Sequence, residues 1–349
     1  MAPTIRSLKA RAERVAMSHP HRTASGVVSE SPLVLVDLET SEGVTGHAYV
    51  FTYTVAALKP TTDLIANLEP LVAGQPLAPD TLTRALLARF RLLGTYGLTG
   101  MAISGIDMAA WDALARLHEV PLCRLLGATP RPTPAYGGIG YDGEKESARE
   151  AERWAKLGLK GVKAKIGYPT VEEDLVVIRA MRSAVGNQVA IMVDYNQSLT
   201  PTEASARLER LDAEGLGWVE EPVLAEDYAG MASVARAAAT PIQAGENWWG
   251  PLEFAKAIEA GASDLLMPDV MKVFGVTGWR DVSALAAAKN LRVSSHLFCE
   301  VSAQLLAATP TAHWLEYADW WNPVLAHPLE LREGLAIPSE LPGSGVDWK

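Results

Sequence analysis

VKAKIGYP, residues 162–169, sets Lys163 and Lys165 two apart in an otherwise apolar run. Side chains two apart on a strand share one face, so both ammonium groups point the same way. A short apolar strand closed by a polar residue and followed by an amphipathic helix then recurs down the chain. The strands are VKAKI (162–166), VAIMVD (189–194), LGWVEE (216–221), PIQAGE (241–246), SDLLMPD (263–269), RVSSH (292–296) and AHWLEY (312–317). Helical patterns between them include 171–185, 201–214, 226–238, 251–260 and 277–289. The polar strand ends are Lys165, Asp194, Glu220, Glu246, Asp269, His296 and Glu316, in steps of 29, 26, 26, 23, 27 and 20 residues. One βα unit of a barrel needs about that much chain. With PTPAY (132–136) as the first strand, the pattern predicts an α/β fold, a (β/α)8 TIM-like barrel. An open doubly wound sheet is the alternative. It needs a topological switch point and usually a Gly-rich phosphate loop, and none follows the first strand.

Upstream the pattern changes. SPLVLVDLETSEGVTGHAYVF (31–51) reads as a hairpin turning at SEGVTG, and MAPTIRSLKARAERVAM (1–17) as a strand before it. Residues 60–126 read as helices, one opened by Pro79-Asp80 and a longer helical stretch in GMAISGIDMAAWDALARLHEVPLCRLLG, with Gly127 and Pro130 as the stop. Strands followed by helices, without alternation, indicate an α+β unit. The last stretch, WWNPVLAHPLELREGLAIPSELPGSGVDWK, is too rich in Pro and Gly for a further βα unit. The expected organisation is an α+β capping domain over 1–126, a barrel over 127–319 and a tail over 320–349 that packs back on the capping domain.

The 349 residues are 48% hydrophobic and 21% charged, as in a globular protein with a large core. The net charge of −10 and a pI near 5.3 argue against binding to nucleic acid or an anionic membrane surface, while leaving room for a small anionic substrate. Cys123 and Cys299 lie far apart without CxxC spacing, which fits a reducing compartment. No apolar run approaches the ~20 residues of a membrane helix. A cytoplasmic protein is expected.

Side chains at the C-terminal ends of barrel strands converge on one mouth. Asp194, Glu220 and Glu246 end three consecutive strands. Carboxylate oxygens without Cys or His describe a hard-cation site, Mg²⁺ above all. The competing reading is that each caps a helix, which one such residue alone does more often. Glu221 adjoins Glu220, and alternation lets only one of the two face inward, so an ion pair is expected for the other. Two ammonium groups and a metal in one mouth lower lysine pKa values, which makes a lysine a general base. His296 and Asp269 end adjacent strands, where the carboxylate can orient the imidazole; a capping or core histidine is the alternative. Glu316 is expected as a protonated donor to a developing enolate oxygen. Two bases on opposite faces of one substrate can remove a proton from one side and return it from the other.

The set VKAKIGYP, IMVDYNQSL, WVEEP, AGENWWGP, MPDVMKVFGVTGW, SSHLF, LLAATPTAHWLE and SGIDMAAWDAL resembles the enolase superfamily, and within it the mandelate racemase and muconate lactonizing enzyme group. The resemblance runs in order over nearly the whole chain. It implies Asp194, Glu220 and Glu246 as Mg²⁺ ligands, Lys165 and His296 as the two bases, and Asp269 as the dyad partner of His296. It further implies Glu316 as the acid at the substrate carboxylate and Lys163 as a cation on that carboxylate. Asn196 matches a polar group near the substrate hydroxyl, and Tyr53 an aromatic residue of the capping domain near the mouth. It also implies a small carboxylate substrate and a homo-oligomer.

The departures fall where substrate is chosen. The loop expected over the site, SHPHRTASGVVSES (18–31), is made more polar by His21, Arg22 and Ser25, with Val27 and Val28 retained. Gly138 stands where that group has a hydroxyl, Ala318 where it has a larger aliphatic residue, and Trp320 and Trp321 lie nearby. The leading expectation is a racemase or epimerase of a 2-hydroxy acid. The alternative is a dehydratase of an acid sugar or hydroxy acid through the same enolate. A barrel kept as a non-catalytic binding protein is disfavoured by the full set of bases and ligands.

Overall fold

A computed structural model describes residues 3–23 and 26–349. β1 (Ile5–Thr23), β2 (Gly26–Thr40) and β3 (Thr45–Phe51) form an antiparallel sheet in that order. β3 pairs only with Leu33–Glu39 of β2, so the rest of β1 and β2 projects as a two-stranded ribbon. Its register slips between the pairs Ala16–Glu30 and His21–Val28. Pro20 lies in that slip and has no N–H for a ladder bond. The segment expected as a loop over the site is therefore a β-ribbon. It reaches the barrel where Tyr141 N donates to Arg22 O at 2.9 Å.

α1 (Val55–Asn67), α2 (Glu69–Val72), α3 (Pro79–Arg89), α4 (Leu98–Leu117) and α5 (Leu122–Leu125) follow. α4 is apolar on nearly every side because it is buried on nearly every side. One face packs on β2 and β3, where a Cβ at Gly46 would overlap the Ala109 carbonyl oxygen. The other face meets the barrel: Ser104 Oγ donates to Met271 O at 2.5 Å and Trp111 Nε1 to Thr277 Oγ1 at 2.9 Å.

The barrel strands are β4 (Thr133–Ile139), β5 (Gly161–Lys165), β6 (Ala190–Asp194), β7 (Val219–Glu220), β8 (Ile242–Ala244), β9 (Leu265–Leu266), β10 (Arg292–Val293) and β11 (Leu315–Tyr317). They run parallel in sequence order, and β11 pairs back on β4. The bridge Val293–Ala312 joins β10 to the approach to β11 and closes the circle. Seven helices alternate with them: α6 (Gly143–Lys156), α7 (Val171–Val185), α8 (Pro201–Leu211), α9 (Tyr228–Ala237), α10 (Gly250–Ala260), α11 (Gly275–Ala288) and α12 (Cys299–Ala308). Thr170 with Glu173 and Thr200 with Glu203 form capping boxes that start α7 and α8 at the strand-end face. After β11 the chain forms the hairpin β12 (Glu330–Arg332) and β13 (Leu335–Ile337), and β13 adds to β4 antiparallel. The last residues reach the cap, where Ser344 N donates to Asp112 Oδ1 and Trp348 Nε1 to Asp37 Oδ1. Inside the barrel, Tyr136, Met192, Trp218 and Leu265 make an apolar floor, so the groups above it sit over a dry, packed interior. No helix among the described residues is long and apolar enough to cross a membrane.

Candidate active site

Parallel register brings the strand ends into line. Gly138 pairs with Lys163, Lys165 with Asp194 and Asp194 with Glu220. Glu246 follows two residues after β8, and Asp269 and His296 form an isolated bridge beyond β9 and β10. With Glu316 on β11 beside Tyr136 of β4, the eight side chains Lys163, Lys165, Asp194, Glu220, Glu246, Asp269, His296 and Glu316 thus meet at the C-terminal mouth. One carboxylate oxygen each from Asp194, Glu220 and Glu246 lies within 4.8 Å of the others, and all three residues are buried. The crowding has a cost: burial, with the Asp194 and Glu246 charges, outweighs Lys163 and pushes the Glu220 carboxyl well above the usual range, a repulsion that a bound cation would relieve. An all-oxygen donor set fits Mg²⁺.

The two lysines are ion-paired. Lys163 Nζ contacts Glu220 and lies 2.9 Å from Glu316 Oε1, above the ring of Tyr136. Lys165 Nζ donates to Asp194 Oδ2 at 3.0 Å and to Asn196 Oδ1 at 2.5 Å. Burial works against both ammonium groups. Glu220 and Glu316 outweigh it at Lys163, and Asp194 and Glu246 at Lys165, so both pKa values stand above the ordinary lysine value. At Lys165 the Asp194 and Glu246 charges outweigh that of Lys163; the lowering expected from the sequence included a metal charge in the same mouth. Glu316 also differs from expectation. Burial would raise its carboxyl, but Lys163 and then His296 outweigh it and hold it below the usual range. It accepts from Leu297 N at 3.1 Å. His296 Nδ1 lies 2.7 Å from Asp269 Oδ2, and Nε2 lies 3.3 Å from Glu246 Oε2. Burial depresses the imidazole, yet Glu246 and the Asp269 hydrogen bond carry it up to about 9.

Lys163, Lys165, Asn196, Glu246, His296 and Glu316 line a cavity of about 670 Å³ that is also lined by His21, Val27, Val28, Phe51, Tyr53 and Trp320. His21 stacks obliquely on Trp320 with ring centroids 5.1 Å apart. Burial, then the Lys165 charge, pushes its pKa down to about 3, so the ribbon presents a neutral imidazole. Arg22 is exposed and lies 3.5 Å from Asp142, away from the cavity. The polarity anticipated for this segment therefore divides between the two sides of a ribbon: Val28, paired with His21, shares its inner side, while Val27, paired with Arg22, is exposed at the cavity rim. Ser25 lies outside the described residues. Tyr53 holds a left-handed φ of 57° and directs its hydroxyl to Asp269 Oδ2 at 3.4 Å. Trp321 is fully buried behind the wall, against Tyr49, Phe51 and Phe298. A Cβ at Gly138 would meet nothing within 4 Å, so that side of the cavity is open.

Glu221 makes no ion pair among the described residues. Its Oε2 accepts from Asn247 Nδ2 at 2.7 Å, and its Oε1 is buried without a partner. The amide of Asn247 occupies the place where a cation was expected, and the cation, Lys272, stands one residue further out. Asn247 and Lys272 were not legible as site residues. The available signal was Lys272 itself, a lysine inside the apolar run VMKVF, as Lys163 is inside its own strand.

Residues 5–127 match the mandelate racemase/muconate lactonizing enzyme N-terminal domain, and residues 146–349 match the enolase C-terminal domain-like family. The chain belongs to the mandelate racemase/muconate lactonizing enzyme group of the enolase superfamily. It is similar to the structure of an enolase from Bradyrhizobium complexed with magnesium and mandelic acid, at 44% identity and a TM-score of 0.95, covering 100% of this chain and 96% of that one. It is 30% identical to the L-talarate/galactarate dehydratase of Salmonella typhimurium over 91% of this chain and 81% of that protein. It is 29% identical to the 3,6-anhydro-alpha-L-galactonate cycloisomerase of Streptomyces coelicolor over 92% of this chain and 90% of that protein. Mg²⁺ is the cofactor that the buried acidic triad and the magnesium-bearing Bradyrhizobium structure support.

Proposed function

We propose that the protein is a Mg²⁺-dependent racemase or epimerase of a 2-hydroxy carboxylic acid. The observation that carries this reading is that Lys165 on β5 and His296 after β10 line one cavity and flank the acidic triad of β6 to β8. Asp194, Glu220 and Glu246 would hold Mg²⁺. Bound there, the ion supplies positive charge that polarises the substrate carboxylate and competes with Lys163 and Lys165 for the same anionic oxygens.

Lys163 is placed to bind the substrate carboxylate. Freed from its pairing with Asp194, Lys165 would act as the neutral amine and take the α-proton from one face, and the C–H electron pair would move into the carboxylate to give an enediolate. His296, charged through Asp269, returns a proton to the other face. In the reverse direction the roles exchange. Val28, Phe51 and Trp320 give the cavity an apolar wall that favours a substrate whose remaining side is apolar.

The second reading is a dehydratase. It is favoured by the resemblance to an acid-sugar dehydratase, and in it His296 would deliver its proton to a departing β-hydroxyl. Single enantiomers of 2-hydroxy acids and acid sugars, incubated with Mg²⁺ in D₂O, separate the two. α-Deuterium together with the opposite configuration supports the racemase, and a keto acid overturns it.

A further inference from the structure

Lys272 sits in the loop between β9 and α11 and is 6% exposed. Among the described residues it makes no ion pair. Its ammonium donates to Asn247 Oδ1 at 2.6 Å and lies 4.9 Å from the centroid of the Tyr53 ring. A buried ammonium held by one neutral amide and a ring face is uncommon, because burying a charge costs far more than one neutral hydrogen bond returns. Its place is explained by what the amide touches next. With Oδ1 turned to Lys272, Asn247 must present Nδ2 on its other side, where it reaches Glu221 Oε2 at 2.7 Å and Glu246 Oε1 at 3.4 Å. One cation on the loop after β9 thus sets the amide orientation that ties the end of β7 to the end of β8. On its other side, the ring it faces belongs to Tyr53 of the cap, whose hydroxyl reaches Asp269 of the histidine dyad.

We propose that Lys272 is a positioning residue of the metal site, acting through Asn247 on Glu246 and Glu221. It moves no proton. It freezes the rotamer of Asn247, and with it the backbone and carboxylate of the adjoining Glu246. It is itself buried, with the Tyr53 ring on its other side, so its hydrogen bond to Asn247 is little exchanged for solvent. This inference rests on the reading of the triad as a Mg²⁺ site but not on which reaction follows.

The test is the Mg²⁺ dissociation constant of the substrate-free protein, measured by calorimetry, in Lys272→Met, Asn247→Leu and the double variant. Removing a cation near an acidic site should by charge alone tighten Mg²⁺ binding. A positioning role requires the opposite, a weakening of about 10- to 100-fold, the range for residues that orient metal ligands. The two single variants should weaken binding alike, and the double variant no further, because both cut one chain of contacts. Unchanged or tighter binding in folded Lys272→Met, or additive losses in the double variant, overturns the proposal. If Lys272→Met fails to fold, Asn247→Leu decides alone, since it leaves the charge in place and breaks only the relay. Absence of Mg²⁺ binding in the unaltered protein would instead overturn the metal site itself, and absence of proton exchange with Mg²⁺ bound would overturn only the reaction.

Discussion

His296 Nδ1 and Asp269 Oδ2 are 2.7 Å apart, joined across the adjacent ends of β9 and β10. The contact fixes which imidazole nitrogen faces the cavity, because a proton held on Nδ1 leaves Nε2 for substrate. Asp269→Asn should cut turnover through His296 by about 10²- to 10⁴-fold. Exchange of the α-proton on the Lys165 face should persist, read by NMR on each enantiomer in D₂O. Equal loss on both faces would count against separate bases.

Lys165→Ala and His296→Ala should each abolish exchange from one substrate face and leave the other. Racemisation falls in both, by about 10²-fold or more. Circular dichroism establishes that each variant is folded. Loss of exchange in both directions from one substitution argues for a single-base dehydratase.

Mg²⁺ should raise the unfolding temperature by neutralising the crowded triad. At 100 times its dissociation constant a native-state ligand stabilises by about 2.7 kcal/mol. A chain with Asp194, Glu220 and Glu246 all replaced by Ala should show no such rise in differential scanning calorimetry.

Asp107 of α4 accepts hydrogen bonds from Thr83 Oγ1 at 2.6 Å and from the Thr277 backbone N–H at 3.0 Å. Burial outweighs these bonds and pushes its carboxyl up to about 7. A carboxyl raised in the folded state binds protons more tightly there than in the unfolded chain. Its contribution to stability is complete below the ordinary pKa of about 4 and is lost as pH rises to about 7. Thermal unfolding should therefore show a decline between about pH 4 and 7 that is flatter in Asp107→Asn. Parallel curves for the two proteins would refute this.

Adjacent glycines of β4 should respond oppositely. Gly138→Ala places its methyl in open cavity, so stability should hold while substrate KM changes. A Cβ at Gly137 would overlap the Trp154 ring, and Gly137→Ala should cost about 1–3 kcal/mol as overpacking. Chemical denaturation and initial-rate kinetics on both variants check the pair.

Local periodicity made much of this legible. β7, β9 and β10 are regular for only two residues each, yet their apolar runs and polar ends already identified Glu220, Asp269 and His296. Alternation and the βα step are properties of contiguous chain. The ribbon was not legible, because its polar residues divide between two faces only once β1 and β2 pair with a slipped register. Pro20 was the available sign of that slip.

By itself the sequence determined which functional groups crown the barrel strands, and in what order, since side-chain direction along a strand repeats every two residues. Only the tertiary structure decided who neutralises whom. Lys163 takes Glu220 and Glu316, Lys165 takes Asp194, and Lys272 reaches Glu221 through Asn247. Electrostatic energy in a buried site depends on distance across the closed barrel and on local burial. Neither quantity is a property of neighbours along the chain.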